Sequence, residues 1–158
     1  MCADPHTFKL PAVPVDPVIA PQSVAAAPPL VLIVEDDFGT RAMYREYLEH
    51  AGFRVVDAHN GHQALAKARE LRPDAILTDL AIPGMDGFEF CRAVKGSAPP
   101  LEIPILVVTG HSEYLAQPDR FRQAGITRVL VKPCSLDVIL SELRRLLHDA
   151  SASPVGPR

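Results

Sequence analysis

A chain of 158 residues, 47% hydrophobic and 22% charged, is ordinary for a single globular domain with one useful core. A formal charge of -3, from 16 basic and 19 acidic residues, gives no reason to expect the concentrated basic surface that sequence-independent nucleic-acid binding requires. Three cysteines, Cys2, Cys91 and Cys134, without ligand-like spacing, argue against a disulfide framework or a zinc site and fit a reducing compartment, so a cytoplasmic location is expected.

Residues 1–29 carry prolines at 5, 11, 14, 17, 21, 28 and 29 and no helical or alternating period, which reads as a disordered or polyproline-like tail. Neither a basic leader segment nor a run of about 20 apolar residues is present, so no targeting signal or membrane span is expected. From residue 30 a regular alternation begins. Leu30–Val34 is a short apolar run that stops at Glu35-Asp36-Asp37, as a strand buried on both faces would. Residues 40–50 read as a helix with Met43, Tyr47 and Ala51 on its apolar stripe and Gly52 as its stop.

Residues 53–58 read as the second strand and Asn60-Gly61 as a turn. Ala64, Leu65, Ala68 and Leu71 mark a second helix that Pro73 ends. The run 74–78 is the third strand, delivering Asp79 to a loop that turns at Pro83-Gly84. A third helix over 87–95 has Asp86 as its expected N-cap. Residues 103–108 form a fourth strand with Pro104 near its start, closed by Thr109-Gly110. In the irregular stretch 112–125, Pro118 demands either a late helix start or a kink. Residues 127–131 are the fifth strand, and 136–147 a last helix with Ser135 as N-cap. Residues 30–149 are thus expected to form one domain, and 150–158 a second short tail.

Five apolar strands alternating with helices predict an α/β fold with a doubly wound parallel sheet and helices on both faces. Ligands of such sheets sit at the carboxyl ends of the strands. That rule gathers Glu35, Asp36, Asp79, Thr109 and Lys132 at one edge. Each alone has an ordinary role: a lone aspartate at a strand end is more often a turn or cap residue, and an acidic run is commonly a helix-terminal cluster. Two carboxylates about 4 Å apart repel by roughly 4 kcal/mol at an effective dielectric near 20, so the acids together call for a cation. Mg²⁺ suits an all-oxygen site with few carboxylates, and a carboxylate beside a metal, a lysine and a hydroxyl can act as a nucleophile toward phosphoryl groups.

These residues resemble the receiver domains of two-component response regulators, over about residues 30–148. The resemblance is carried by Val-Glu-Asp-Asp at 34–37, Thr-Asp-Leu-Ala-Ile-Pro-Gly-Met-Asp-Gly at 78–87, Thr-Gly at 109–110 and Val-Lys-Pro at 131–133. It implies a flavodoxin-like strand order 2-1-3-4-5 and a phosphoryl group accepted on Asp79 from a histidine kinase or histidine phosphotransfer protein. It further implies Mg²⁺ held by Asp36, Asp79 and the backbone carbonyl of Ala81, with Glu35 acting through water, Thr109 as a switch hydroxyl and Lys132 as the pairing cation. The remaining expected partner is a downstream protein target, with homodimer formation left open, and no nucleic acid or membrane.

Departures from the family pattern fall on the readout. Val129 stands where an aromatic switch residue is common, Gly110 where alanine is usual, and Cys134 at a position often aromatic or aliphatic; Pro118 disturbs the fourth helix. Ala81 and His111 flank the acceptor. With nine residues, 150–158, after the expected domain, a single-domain regulator without an output domain is expected. A receiver-like interaction module that works without phosphorylation is the alternative. An aspartate-dependent phosphohydrolase is disfavoured, because Ala81 stands where such enzymes place a second aspartate.

Overall fold

The computed structural model describes residues 27–152; the expectations for residues 1–26 and 153–158 lie outside them. Five strands, β1 (Leu30–Val34), β2 (Arg54–Ala58), β3 (Ala75–Thr78), β4 (Ile105–Thr109) and β5 (Arg128–Val131), alternate with helices α1 (Phe38–His50), α2 (Gly61–Leu71), α3 (Gly87–Lys95), α4 (Pro118–Gln123) and α5 (Leu136–Ala152). The strands form one parallel sheet in the order β2-β1-β3-β4-β5. The doubly wound fold and the strand order are as expected.

Alternation along each strand explains why both faces must be covered. Leu32, Val34, Ile76 and Val107 project into a core shared with Ala64 and Ala68 of α2, Phe88 and Val94 of α3 and Phe121 of α4. Val31, Ile33, Leu77, Leu106 and Val108 project to the other side, against Tyr44 and Leu48 of α1 and Ile139, Leu143 and Leu146 of α5. Among the described residues no helix is long and apolar enough to cross a membrane.

Several local expectations are corrected. Tyr44 and Leu48 form the fully buried stripe of α1, and Tyr47 and Ala51 pack partly buried beside it as expected, whereas Met43 is exposed; the helix also begins two residues earlier than expected, with Asp37 as N-cap accepting from Thr40 N at 2.7 Å. Asn60-Gly61 is a helix start and not a separate turn: Asn60 Oδ1 accepts from Gln63 N at 2.8 Å. Leu71 is exposed at the last turn of α2. Pro104 lies outside β4, and its carbonyl accepts from Ile76 N. α5 runs on to Ala152 instead of ending at Leu147, since no Gly or Pro intervenes before Pro154, and the Ser151 hydroxyl donates back to Leu147 O at 2.6 Å. Pro28 and Pro29, expected in the tail, accept hydrogen bonds from the Arg54 side chain and backbone respectively. Pro118 takes the late-start alternative as the first residue of α4, where its missing N–H costs nothing.

The loop after β3 is seated directly on α3. A Cβ at Gly87 would lie 2.5 Å from Leu80 Cα and 2.8 Å from the Asp79 carbonyl oxygen, while Gly87 N donates to Leu80 O at 3.0 Å. Only the residue without a side chain fits there. Asp86 closes the same junction with a capping box shared with Glu89.

Candidate functional site

The polar residues that end β1, β3, β4 and β5 meet at one edge because the strands are parallel and in register. The sheet ladder continues past the strand ends, with Glu35 N bonded to Ala58 O and Asp79 N to Val34 O, both at 3.1 Å. These two bonds set the backbone of both acids before any side-chain contact is counted.

Asp79 is only 9% exposed and Glu35 3%. Lys132 Nζ donates to Asp79 Oδ2 at 2.8 Å and to Glu35 Oε2 at 3.2 Å. The second oxygen of each carboxylate takes a backbone N–H: Ala81 N donates to Asp79 Oδ1 at 3.0 Å, and Asp37 N to Glu35 Oε1 at 3.1 Å. Asp79 is therefore held by the chain on one oxygen and by a cation on the other.

Burial pushes the Glu35 carboxyl above its ordinary range, against the pull of the Asp37 N–H and the Lys132 charge, and the neighbouring Asp36 side chain pushes the same way. Burial works to lower the Lys132 ammonium, but the Asp79 and Glu35 carboxylates outweigh it and hold the lysine above its usual value. A cation whose folded value is raised contributes stability below its unfolded pKa of about 10.4 and loses it as pH climbs through the folded value. Lys132→Met should thus cost about 1–3 kcal/mol near neutral pH, as one partner of a partly buried charged pair is removed. The gap to wild type should begin to narrow above about pH 10.5, where the lysine of the unfolded chain loses its proton, and close only as pH passes the raised value of the folded protein. It should also narrow toward acid, where Glu35 protonates. Urea unfolding at pH 5, 7.5 and 11 checks this; a gap independent of pH would contradict it.

The other expected members share the edge with fewer contacts. Thr109 is fully buried at the end of β4, and its Oγ1 accepts from His111 N at 3.1 Å while its carbonyl accepts from Lys132 N at 2.8 Å. Asp36 is exposed beside Glu35. Asp37 is committed as the α1 cap, and its hydrogen bonds with Thr40 hold its carboxyl below the usual range, whereas the Asp36 side chain interacts with the Glu35 carboxyl. Ala81 is exposed, with its N–H given to Asp79.

Two features were not foreseen. Arg41 Nη1 donates to the carbonyls of Glu35 (2.8 Å) and Asp36 (3.3 Å), and its Nε to Asp57 Oδ2 (3.1 Å). Arg41 and Asp57 are 16 residues apart, and no periodicity links a helix arginine to a strand aspartate. On the other flank, Tyr114 stands edge-on to Phe88 at 5.5 Å and 5.7 Å from the His111 ring, while the Arg120 guanidinium lies 4.0 Å over Phe88. Val129 packs half-buried into the same core.

Among the described residues no three His, Cys, Asp or Glu side chains converge as a ready-made metal cage. The donor chemistry nonetheless fits a hard divalent ion. Lys132 pairs with the Glu35 and Asp79 carboxylates, and the Asp36 carboxylate lies beside Glu35, a formal excess of two negative charges; Mg²⁺ needs only one or two carboxylates beside its waters.

Residues 31–144 match the model of the response regulator receiver domain. The chain belongs to the receiver domain family. It is 35% identical over 121 residues to the transcriptional regulatory protein ResD of Bacillus subtilis, covering 77% of this chain and 49% of ResD. The polar-differentiation response regulator DivK of Brucella anthropi is 32% identical over 123 residues, 78% of this chain and 99% of DivK. The chain thus spans about half the length of ResD, and nearly all of DivK. Among solved structures, the chemotaxis response regulator CheY4 of Vibrio cholerae aligns with TM-score 0.70 at 35% identity, covering 75% of this chain and 98% of CheY4. The receiver domain of the sensor histidine kinase PA1611 of Pseudomonas aeruginosa, solved with a magnesium ion in its active-site cleft, aligns with TM-score 0.68 at 30% identity, over 77% of this chain and 99% of that one. Receiver domains are signalling modules, and the phosphorylation and two-component signalling expected for this chain accord with that family.

Proposed function

We propose that this receiver is a phosphoacceptor whose reactive group is the Asp79 carboxylate, charged by a histidine kinase or a histidine phosphotransfer protein and read out through contacts with a downstream protein. The observation that carries the reading is the grip on Asp79: nearly buried, bonded by Ala81 N–H on Oδ1 and by Lys132 on Oδ2. In the transfer, a carboxylate oxygen of Asp79 attacks phosphorus, the phosphorus–nitrogen bond of the donor phosphohistidine breaks, and the imidazole leaves with the electron pair. The product is an acyl phosphate. Lys132 is placed to take a phosphoryl oxygen once Asp79 Oδ2 is esterified, and Thr109, at the end of the neighbouring strand, offers the hydroxyl donor.

Asp36, Asp79, Glu35 and the Ala81 carbonyl are the groups that would hold Mg²⁺. Bound there, the ion supplies positive charge to the transferring phosphoryl oxygens. The protein's own part is to fix the carboxylate, to keep water from its buried side and to present Lys132. In this reading the protein acts as a signalling switch in the cytoplasm, and any catalysis it performs is on itself.

The test is intact-mass spectrometry after incubation with a small acyl phosphate. One added phosphoryl group is expected with Mg²⁺ and none with a chelator. A wild-type chain that stays unmodified at millimolar donor and Mg²⁺ would sink the reading and favour a receiver that binds its partner without phosphorylation.

A further inference from the structure

We propose that Arg41 is a positioning residue for the divalent-cation site, held in place by Asp57 and acting on the backbone of the acidic loop; this rests on the Mg²⁺ reading above. Two residues, Glu35 and Asp36, separate the last residue of β1 from the α1 N-cap. The Glu35 N–H is used by the sheet through Ala58 O, but the carbonyls of Glu35 and Asp36 point away from the ladder. Arg41 reaches back over the first turn of α1 and bonds both with one nitrogen, at 2.8 and 3.3 Å. Two consecutive peptide planes are thereby fixed, and with them the direction in which the Asp36 side chain leaves the backbone.

The guanidinium is itself oriented. Its Nε is bonded to Asp57 Oδ2 at 3.1 Å, and only 15% of the Arg41 side chain is exposed. Asp57 is anchored in turn: Arg45 Nη1 takes Oδ1 at 3.0 Å, and Lys67 donates to the Asp57 carbonyl. A planar fork can serve the carbonyls and a carboxylate at once, which a lysine ammonium at the end of a flexible stem cannot do in a fixed geometry. Partners of this kind, one shell away from a metal, typically change its affinity 10–100-fold when removed.

The sign of the effect separates positioning from charge. As a bare positive charge near a cation site, Arg41 would repel the ion, and its removal would tighten binding. As a clamp, its removal lets the acidic loop sample other conformers and weakens binding. The experiment is calorimetric titration of the full chain with MgCl₂, with no phosphodonor present, on wild type, Arg41→Met, Arg41→Lys, Asp57→Asn and Arg45→Met, with amide NMR spectra confirming that each is folded. About a tenfold rise in the Mg²⁺ dissociation constant is expected for both Arg41 variants and for Asp57→Asn, alongside faster amide exchange at Asp36 and Asp37. Arg45→Met, which removes one anchor of Asp57 but no bond to the carbonyls of the acidic loop, should weaken binding less than Asp57→Asn.

Unchanged or tighter Mg²⁺ binding in Arg41→Met and Arg41→Lys overturns the clamp while leaving the metal site standing. Wild type that binds no Mg²⁺ overturns the metal reading and the clamp with it. Should Arg41→Met not fold, Arg41→Lys and Asp57→Asn carry the same comparison.

Discussion

Asp79→Asn is expected to abolish uptake of a phosphoryl group from a small acyl phosphate while leaving the fold intact. The amide is close to isosteric, so Ala81 N–H keeps its acceptor on the side-chain oxygen, and Lys132 retains Glu35 as a partner at 3.2 Å. What disappears is the nucleophile: a neutral amide does not attack phosphorus, and no other carboxylate shares its placement. Glu35 is buried and tied to Asp37 N–H and Lys132, Asp37 is committed to the α1 cap, and Asp36 is exposed at the rim. The stability change should stay within about 1 kcal/mol, because the lost charge pair is offset by relief of carboxylate crowding. Intact mass and thermal unfolding on the same sample read both quantities. An adduct of equal yield on the variant would move the acceptor elsewhere and remove Asp79 from its assigned role.

Phe88→Ala is expected to cost about 3–5 kcal/mol, the usual range for emptying a large aromatic from a packed core. Phe88 is 2% exposed and joins elements that otherwise share few contacts: Tyr114 lies edge-on at 5.5 Å, Phe121 at 5.3 Å, and Arg120 covers the ring face at 4.0 Å. Aromatic pairs of this geometry add to simple burial. A cost of that size is a large share of a domain's typical 5–15 kcal/mol and would lower the melting temperature by roughly 10–20 °C for a domain near this size. Phe88→Leu should recover more than half of the loss. A melting temperature within about 3 °C of wild type would show that the aromatic cluster contributes far less than its geometry implies.

Features written in local composition could be read before any coordinates. β1, β3 and β4 are buried on both faces, so an unbroken apolar run marks them, and the residue that ends each run sits at the sheet edge where ligands bind. The same rule brought Glu35, Asp79 and Lys132 to one place, and the structure puts them in direct contact. Asp86 as a cap, and Pro118 as a break in the helical pattern, were legible because each acts on its own few neighbours; that the break is a helix start was not. Met43 is exposed because periodicity alone does not say which of two adjacent stripes faces the sheet, and docking on the sheet selects Tyr44 and Leu48. The link from Arg41 to Asp57 crosses from helix to strand, 16 residues apart, and has no sequence signature because it depends on how the two elements dock. The bond from His111 N–H to Thr109 Oγ1 is local and uses the hydroxyl only as acceptor, so its proton is left to donate.

Where the first residue of α3 meets the chain just beyond Asp79, backbone touches backbone. With no side chain at Gly87 to act as a cushion, the peptide after Asp79 and the start of α3 behave as two rigid parts in a press fit, joined by the Gly87 N–H to Leu80 O bond and the Asp86–Glu89 box. A shift of that peptide by a few tenths of an ångström has no soft material to deform into. Asp79 and the α3 surface are therefore coupled through backbone alone, with no side chain between them to absorb a displacement.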